Sequence, residues 1–188
     1  MSATAKSTGR SLAGPLSFPH TTYAEDQPLS KTILYYHVLL RAIPTGATLA
    51  IPSTLIRHFI LRRPHPLSLP YRLLSSSFYG VTAAVGISAL ATVGRMWGRD
   101  EIEWKDRSWR LLENRRQNEV DGWSLGALVV GGAGGWFLGM RKGAKLGVGR
   151  TMVGGAGLAS VAATGLYMVN RYGINGGMYP DERKEIGV

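Results

Sequence analysis

The chain has 188 residues, with 22 Lys and Arg against 12 Asp and Glu, 25 glycines and no cysteine, and its mean hydropathy is zero. That length suits one domain, and the lack of cysteine excludes a disulfide framework, a thiolate metal site and a cysteine nucleophile. A net charge of +10 directs attention to nucleic acid or to an anionic membrane, and the positions of the charges decide between the two.

Residues 1–31 read as a polar arm. Lys6 and Arg10 stand among serines and threonines, and the first acidic residue is Glu25, a composition like that of a mitochondrial targeting segment. Gly9, Gly14 and Pro15 oppose a long amphipathic helix there. No apolar secretory core precedes residue 32, so import is expected to rely on internal signals.

Four stretches nearly free of charge follow, over residues 32–56, 73–94, 122–140 and 151–170. Each has about 19 to 25 residues, enough to cross roughly 30 Å of hydrocarbon at about 1.5 Å per residue. The expected fold is therefore all-α, a polytopic membrane protein of four transmembrane helices over residues 32–170, with a polar tail at 171–188. In the first span Pro44 and Pro52 are expected to bend the helix. Arg41 must snorkel to the interface or meet an acidic group of a partner or a lipid phosphate.

The first and third connections each carry an excess of +4. Residues 57–72 contribute Arg57, Arg62, Arg63 and Arg72; residues 141–150 contribute Arg141, Lys142, Lys145 and Arg150. In a four-span antiparallel chain these loops share one side, which the positive-inside rule makes cytoplasm or mitochondrial matrix. Both termini and the connection at 95–121 then face the other way. Basic residues that flank apolar spans do not form one soluble basic surface, which argues against nucleic acid. They suit phospholipid headgroups, with cardiolipin the expected species.

The connection at 95–121 holds seven basic and seven acidic residues. Glu101 and Lys105, Glu103 and Arg107, and Asp106 and Arg110 stand at i,i+4 in the favourable order, which predicts a solvated helix from about Asp100 to Arg115. Trp97, Trp104 and Trp109 suit either an aromatic belt at the headgroups or, with Leu111 and Leu112, a partner-docking patch.

Fourteen of the 25 glycines fall between Gly122 and Gly165. Gly131, Gly135, Gly139, Gly143 and Gly147 recur every four residues, a ridge without side chains that admits close helix packing in lipid. Ala42, Gly46, Ala50 and Thr54 form a second small-residue row; Gly80, Ala84, Ser88 and Thr92 form a third; Ala156, Ser160 and Thr164 form a fourth. These rows are expected to pack the chain's own helices and to leave one row for a membrane partner. The segment GAKLGVGRT (Gly143 to Thr151) lacks the Gly-Lys-Ser/Thr end and the preceding strand of a phosphate-binding loop.

No Asp or Glu occurs from Gln27 to Gly98 or from Gly122 to Pro180, so the spans lack the carboxylates that proton and cation pathways use. His20, His37, His58 and His65 show no metal-binding spacing. No catalytic constellation, cofactor site or small-molecule substrate is expected.

The order of four spans, the stretch WKDRSWRLLENRRQNEVDGWSLG (Trp104 to Gly126) and the glycine-rich third and fourth spans resemble the small accessory membrane subunits of fungal mitochondrial respiratory complex I, of the NUXM type. The resemblance implies a non-catalytic subunit of the NADH:ubiquinone oxidoreductase, bound to its membrane-embedded core and accessory subunits. It implies the inner membrane, with loops 57–72 and 141–150 in the matrix and the termini and loop 95–121 in the intermembrane space. The layout is also similar to that of Tim-type proteins, protein-translocation components of the same membrane. The run TMVGGAG after Arg150 lacks the Asp expected of that group. A free membrane assembly factor is the third alternative.

Overall fold

The computed structural model describes residues 18–62 and 64–177. The targeting-like segment before Phe18, Arg63 and the tail beyond Gly177 lie outside the described residues. The fold is all-helical: α1 (Ser30–Leu55), α2 (Leu69–Met96), α3 (Glu101–Glu113), α4 (Arg115–Met140) and α5 (Val148–Met168), with a 3-10 turn at Ala24–Asp26. Wider π turns extend α1 through Ile56–Ile60 and α5 through Val169–Ile174. Four helices, Ser30–Ile60, Leu69–Met96, Arg115–Met140 and Val148–Ile174, are long and apolar enough to cross a membrane.

Each span is longer than its charge-free run, because a helix does not stop where charge begins. The largest extension at a single end is at α4, which starts at Arg115 and so takes residues 115–121 from the connection. Asn114 explains the early start: its side-chain oxygen accepts from the Gln117 N–H at 3.2 Å, a standard N-cap. The α1 helix continues through Pro44 and Pro52. Prolines are tolerated in membrane helices because nearby hydroxyls and neighbouring helices satisfy freed carbonyls. Pro44 and Pro52 remove the N–H that would reach the Leu40 and Thr48 carbonyls; in the adjoining turns the Thr45 hydroxyl bonds back to the Arg41 carbonyl at 2.8 Å and the Thr54 hydroxyl to that of Ala50 at 3.1 Å.

The spans form two hairpins, α1 with α2 and α4 with α5. Helix α5 also packs against α2 and α1 and joins the pairs. Both hairpins close on glycine. A Cβ on Gly46 would enter the Gly80 carbonyl, and one on Gly80 the Gly46 carbonyl. On the other hairpin Gly131 faces the Gly155 backbone, Gly135 the Thr151 carbonyl, and Gly139 Val148 and the Thr151 hydroxyl. Gly154 lies on the Leu74 backbone and Gly157 on Ser77, Val81 and Ala47, so α5 presents small residues to two neighbours at once. Ala84 meets Gly46. Ser88 is half-buried one turn further on, where its carbonyl accepts the Thr92 hydroxyl at 2.8 Å.

The expected five-glycine ridge is shorter than its spacing suggests. Gly131, Gly135 and Gly139 lie on α4, but the helix ends at Met140. Gly143 sits in the turn at φ +83°, a left-handed backbone that glycine adopts without strain, and Gly147 is the N-cap of α5. The four-residue period survives by coincidence across a helix, a turn and a cap.

The outside of the bundle is apolar. Leu49, Ile87, Leu90, Val130, Phe137 and Leu166 are all exposed, the arrangement of a protein whose solvent is hydrocarbon.

Replacing Gly135 by Leu forces a side chain into the Thr151 backbone, whereas Gly134 faces open space. Gly135→Leu is expected to destabilise the detergent-solubilised protein by at least about 2 kcal/mol, within the range for overpacking, and Gly134→Leu by less than about 0.5 kcal/mol. Loss of helical circular dichroism against denaturant measures both.

Candidate functional site

The two ends of the bundle differ chemically. At one end α1 and α4 start side by side, with α3 across them. His37 and Arg41, at i,i+4, share a face of α1, and both reach Asp121 on α4. The Asp121 Oδ2 lies 2.6 Å from His37 Nδ1, and its Oδ1 lies 2.8 Å from Arg41 Nε. The Arg41 Nη2 also donates to the Gln117 carbonyl, one turn earlier on α4, at 3.1 Å. A carboxylate only accepts, so His37 carries a proton on Nδ1. Both carboxylate oxygens face nitrogen donors, an arrangement suited to holding helices together rather than to taking up a proton from a substrate.

Two more contacts secure this end. The Tyr167 hydroxyl on α5 donates to Glu119 Oε2 at 3.2 Å, tying the end of α5 to the start of α4. Asn118 donates from Nδ2 to the Leu112 carbonyl at 2.6 Å, fixing the α3–α4 junction.

Helix α3 is amphipathic, and its tryptophans face the chain itself. Trp104 is buried beside Tyr35, ring centroids 6.1 Å apart, with Lys31 Nζ 5.6 Å from its ring centroid. Trp109 donates from Nε1 to the Thr21 carbonyl at 2.9 Å and stacks on His20. Gln27 is 1% exposed; its Nε2 donates to the Pro19 carbonyl at 2.7 Å, which curls residues 19–27 into a compact loop. The expected ion pairs Glu101–Lys105 and Asp106–Arg110 form at 3.2 and 3.0 Å. Glu103 pairs instead with Arg99, at 3.3 Å, because the turn before α3 brings Arg99 onto its exposed side.

Five of the six docking residues named from sequence are engaged with the chain itself or half-buried. Arg41 is held by Asp121, and Trp104 and Trp109 hold α3 to α1 and to the arm; Leu111 and Leu112 are half-buried at the back of the same helix. Trp97, 80% exposed, stays free on the surface. Asp121 itself escaped the search for charge-free spans, which began the third span one residue later. The signal available was Arg41, a cation within a span, facing the same side as His37 and needing a carboxylate.

The opposite end carries the cations. Gly154 near the start of α5 lies on Leu74 near the start of α2, so the basic connections meet at one end of the bundle, as the charge count requires of an antiparallel chain. Arg57, Arg62, Arg141, Lys142 and Lys145 are exposed, and among the described residues none has a carboxylate within ion-pair reach. Arg72 is only 8% exposed and donates from Nη1 to His58 Nδ1 at 2.9 Å. Among the described residues no three His, Asp or Glu side chains converge as a metal site would require.

A comparison with protein-family models finds no match, and neither does a comparison with characterised proteins.

Removing the Asp121 charge leaves the half-buried Arg41 facing a neutral group, a cost of about 1 to 3 kcal/mol, between that of an exposed and of a buried pair. Asp121→Asn is therefore expected to lower unfolding stability by about that much. The double variant Arg41→Met/Asp121→Leu should be more stable than Asp121→Asn, and a chemical-denaturation double-mutant cycle checks this coupling. Trp109→Phe deletes the hydrogen bond to Thr21, worth about 1 kcal/mol. It should speed limited proteolysis within residues 18–29 while leaving the helical content unchanged.

Proposed function

We propose that the chain is a non-catalytic accessory subunit of the mitochondrial NADH:ubiquinone oxidoreductase, with a structural or assembly role in its membrane arm. The stretch that most resembles such subunits, Trp104 to Gly126, is the stretch from which the chain builds its own cap. It contains Trp104, Trp109, Asn114, Asn118 and Asp121, each with a contact that fixes α3, α4 or the arm. A segment of that kind is a structural device, and this observation carries the reading.

Two further features support a scaffold. Several polar groups at the capped end are engaged with one another, Asp121 with His37 and Arg41, Glu119 with Tyr167 and Asn118 with the Leu112 carbonyl. The outer faces of α4 and α5 also present a shallow apolar groove of about 590 Å³ between Gly126 and Ala162, lined by Trp123, Val130 and Leu166, where another membrane helix can lie close. In this reading the basic end faces the matrix, and the cap with both termini faces the intermembrane space.

Blue-native electrophoresis of mildly solubilised mitochondria tests the proposal. The chain is expected in a very large assembly that stains for NADH dehydrogenase activity. Co-migration with a protein translocase would favour the Tim-type alternative, and migration as a small species would favour a free assembly factor; either result overturns the proposal.

A further inference from the structure

The α1–α2 hairpin carries a groove at the basic end that the packing of the spans does not fill. Its volume is about 800 Å³. Its floor is the Gly46–Gly80 contact, where the two helices approach without side chains. Its walls are apolar and outward-facing, with Leu49 72% and Ile87 68% exposed. Its mouth is cationic, lined by Arg57, Arg72 and His65.

Arg72 is the informative residue. It is more than nine-tenths buried within a membrane helix, where an arginine is costly without a counter-charge. Its hydrogen-bond partner is the imidazole of His58, which accepts the guanidinium N–H on Nδ1 and therefore carries its own hydrogen on Nε2. The pair thus keeps a full positive charge. His65 is set up alike: its Nδ1 accepts from the Leu67 N–H at 3.0 Å, directing the remaining N–H on Nε2 away from the backbone. Arg150 adds to the same field from α5, its guanidinium 5.6 Å from the ring centroid of Tyr79, which lines the groove. No acidic residue occurs in either basic connection or in the helix segments beside them. The N-terminus of α2, with no side-chain cap, opens at the same mouth and adds the positive end of its dipole.

We propose that this groove is a binding site for one anionic glycerophospholipid, its phosphodiester held by Arg57 and Arg72 and an acyl chain lying along Leu49, Ala83 and Ile87. A membrane lipid supplies both halves of the match, a phosphate at the depth of the loop and a chain in the hydrocarbon. A free anion supplies only the first. The site requires that the chain span a membrane and does not depend on membership of any larger complex.

The test uses the full chain in detergent, titrated with phosphatidylglycerol, tetraoleoyl cardiolipin, phosphatidylcholine or inorganic phosphate and read by native mass spectrometry. One anionic lipid per chain is expected to survive gentle activation, with phosphatidylcholine at least tenfold weaker and inorganic phosphate unable to displace it. Arg57→Gln/Arg72→Gln should cut retention at least tenfold, whereas Arg141→Gln/Lys142→Gln, which removes equal charge from the other loop, should change it less than twofold. Ala83→Trp keeps every cation and fills the groove, and it should also lose the lipid. Should the buried Arg72 prove necessary for folding, as circular dichroism would show, the exposed Arg57→Gln together with Ala83→Trp decides the matter. Undiminished retention in these variants overturns the site, as does equal loss in the other loop, equal binding of phosphatidylcholine, or displacement by inorganic phosphate.

Discussion

Backbone meeting backbone is the constraint on which this structure depends. In hydrocarbon, apolar side chains gain little by leaving lipid for a neighbour, so helices associate through close van der Waals contact and polar links. The chain obtains that contact at Gly46 with Gly80 and at Gly131, Gly135 and Gly139 with the first turns of α5. These hairpins could drift apart if nothing joined them. Gly154 and Gly157, set on Leu74, Ser77, Val81 and Ala47, make α5 the shared wall. Large apolar residues are left for the outside, where lipid or another membrane protein covers them.

Polar contacts divide the labour along the bundle. At the capped end, Asp121 neutralises Arg41 and engages His37, Glu119 accepts from Tyr167, and Trp109 fastens the arm. The basic end has the opposite character, with cations and no carboxylate. One end is internally paired; the other is an unmet positive field at the level where headgroups lie. Such a molecule suits a scaffold anchored in lipid, and its surfaces rather than any reactive group carry the function proposed for it.

Much of this was legible in the sequence, for physical reasons that can be named. The spans appear as charge-free runs because ions are costly in hydrocarbon, and α3 appears in its i,i+4 ion pairs. The two +4 loops implied a shared end, and Gly154 against Leu74 supplies it. What escaped depends largely on tertiary partners. Asp121 looked like the last residue of a loop because charge alone marked the span, whereas the local start signal, Asn114 with Gln117 three residues on, places seven more residues in the helix. Trp104 and Trp109 looked available because their contacts, Tyr35 and Thr21, are distant in sequence. Gly143 and Gly147 kept the period of a ridge whose helix had already ended, and a small-residue row shows only that a close approach is possible, not which helix makes it.

The central claim is an antiparallel four-span bundle with its two basic connections at one end and α3 at the other. Because the chain has no cysteine, single cysteines at Ser68, Lys145 and Asn114 can be labelled without background by a membrane-impermeant maleimide in sealed, oriented vesicles. The account predicts that Ser68→Cys and Lys145→Cys react from one side and Asn114→Cys only from the other. Labelling of Ser68→Cys and Lys145→Cys from opposite sides, or of all three from the same side, would contradict it.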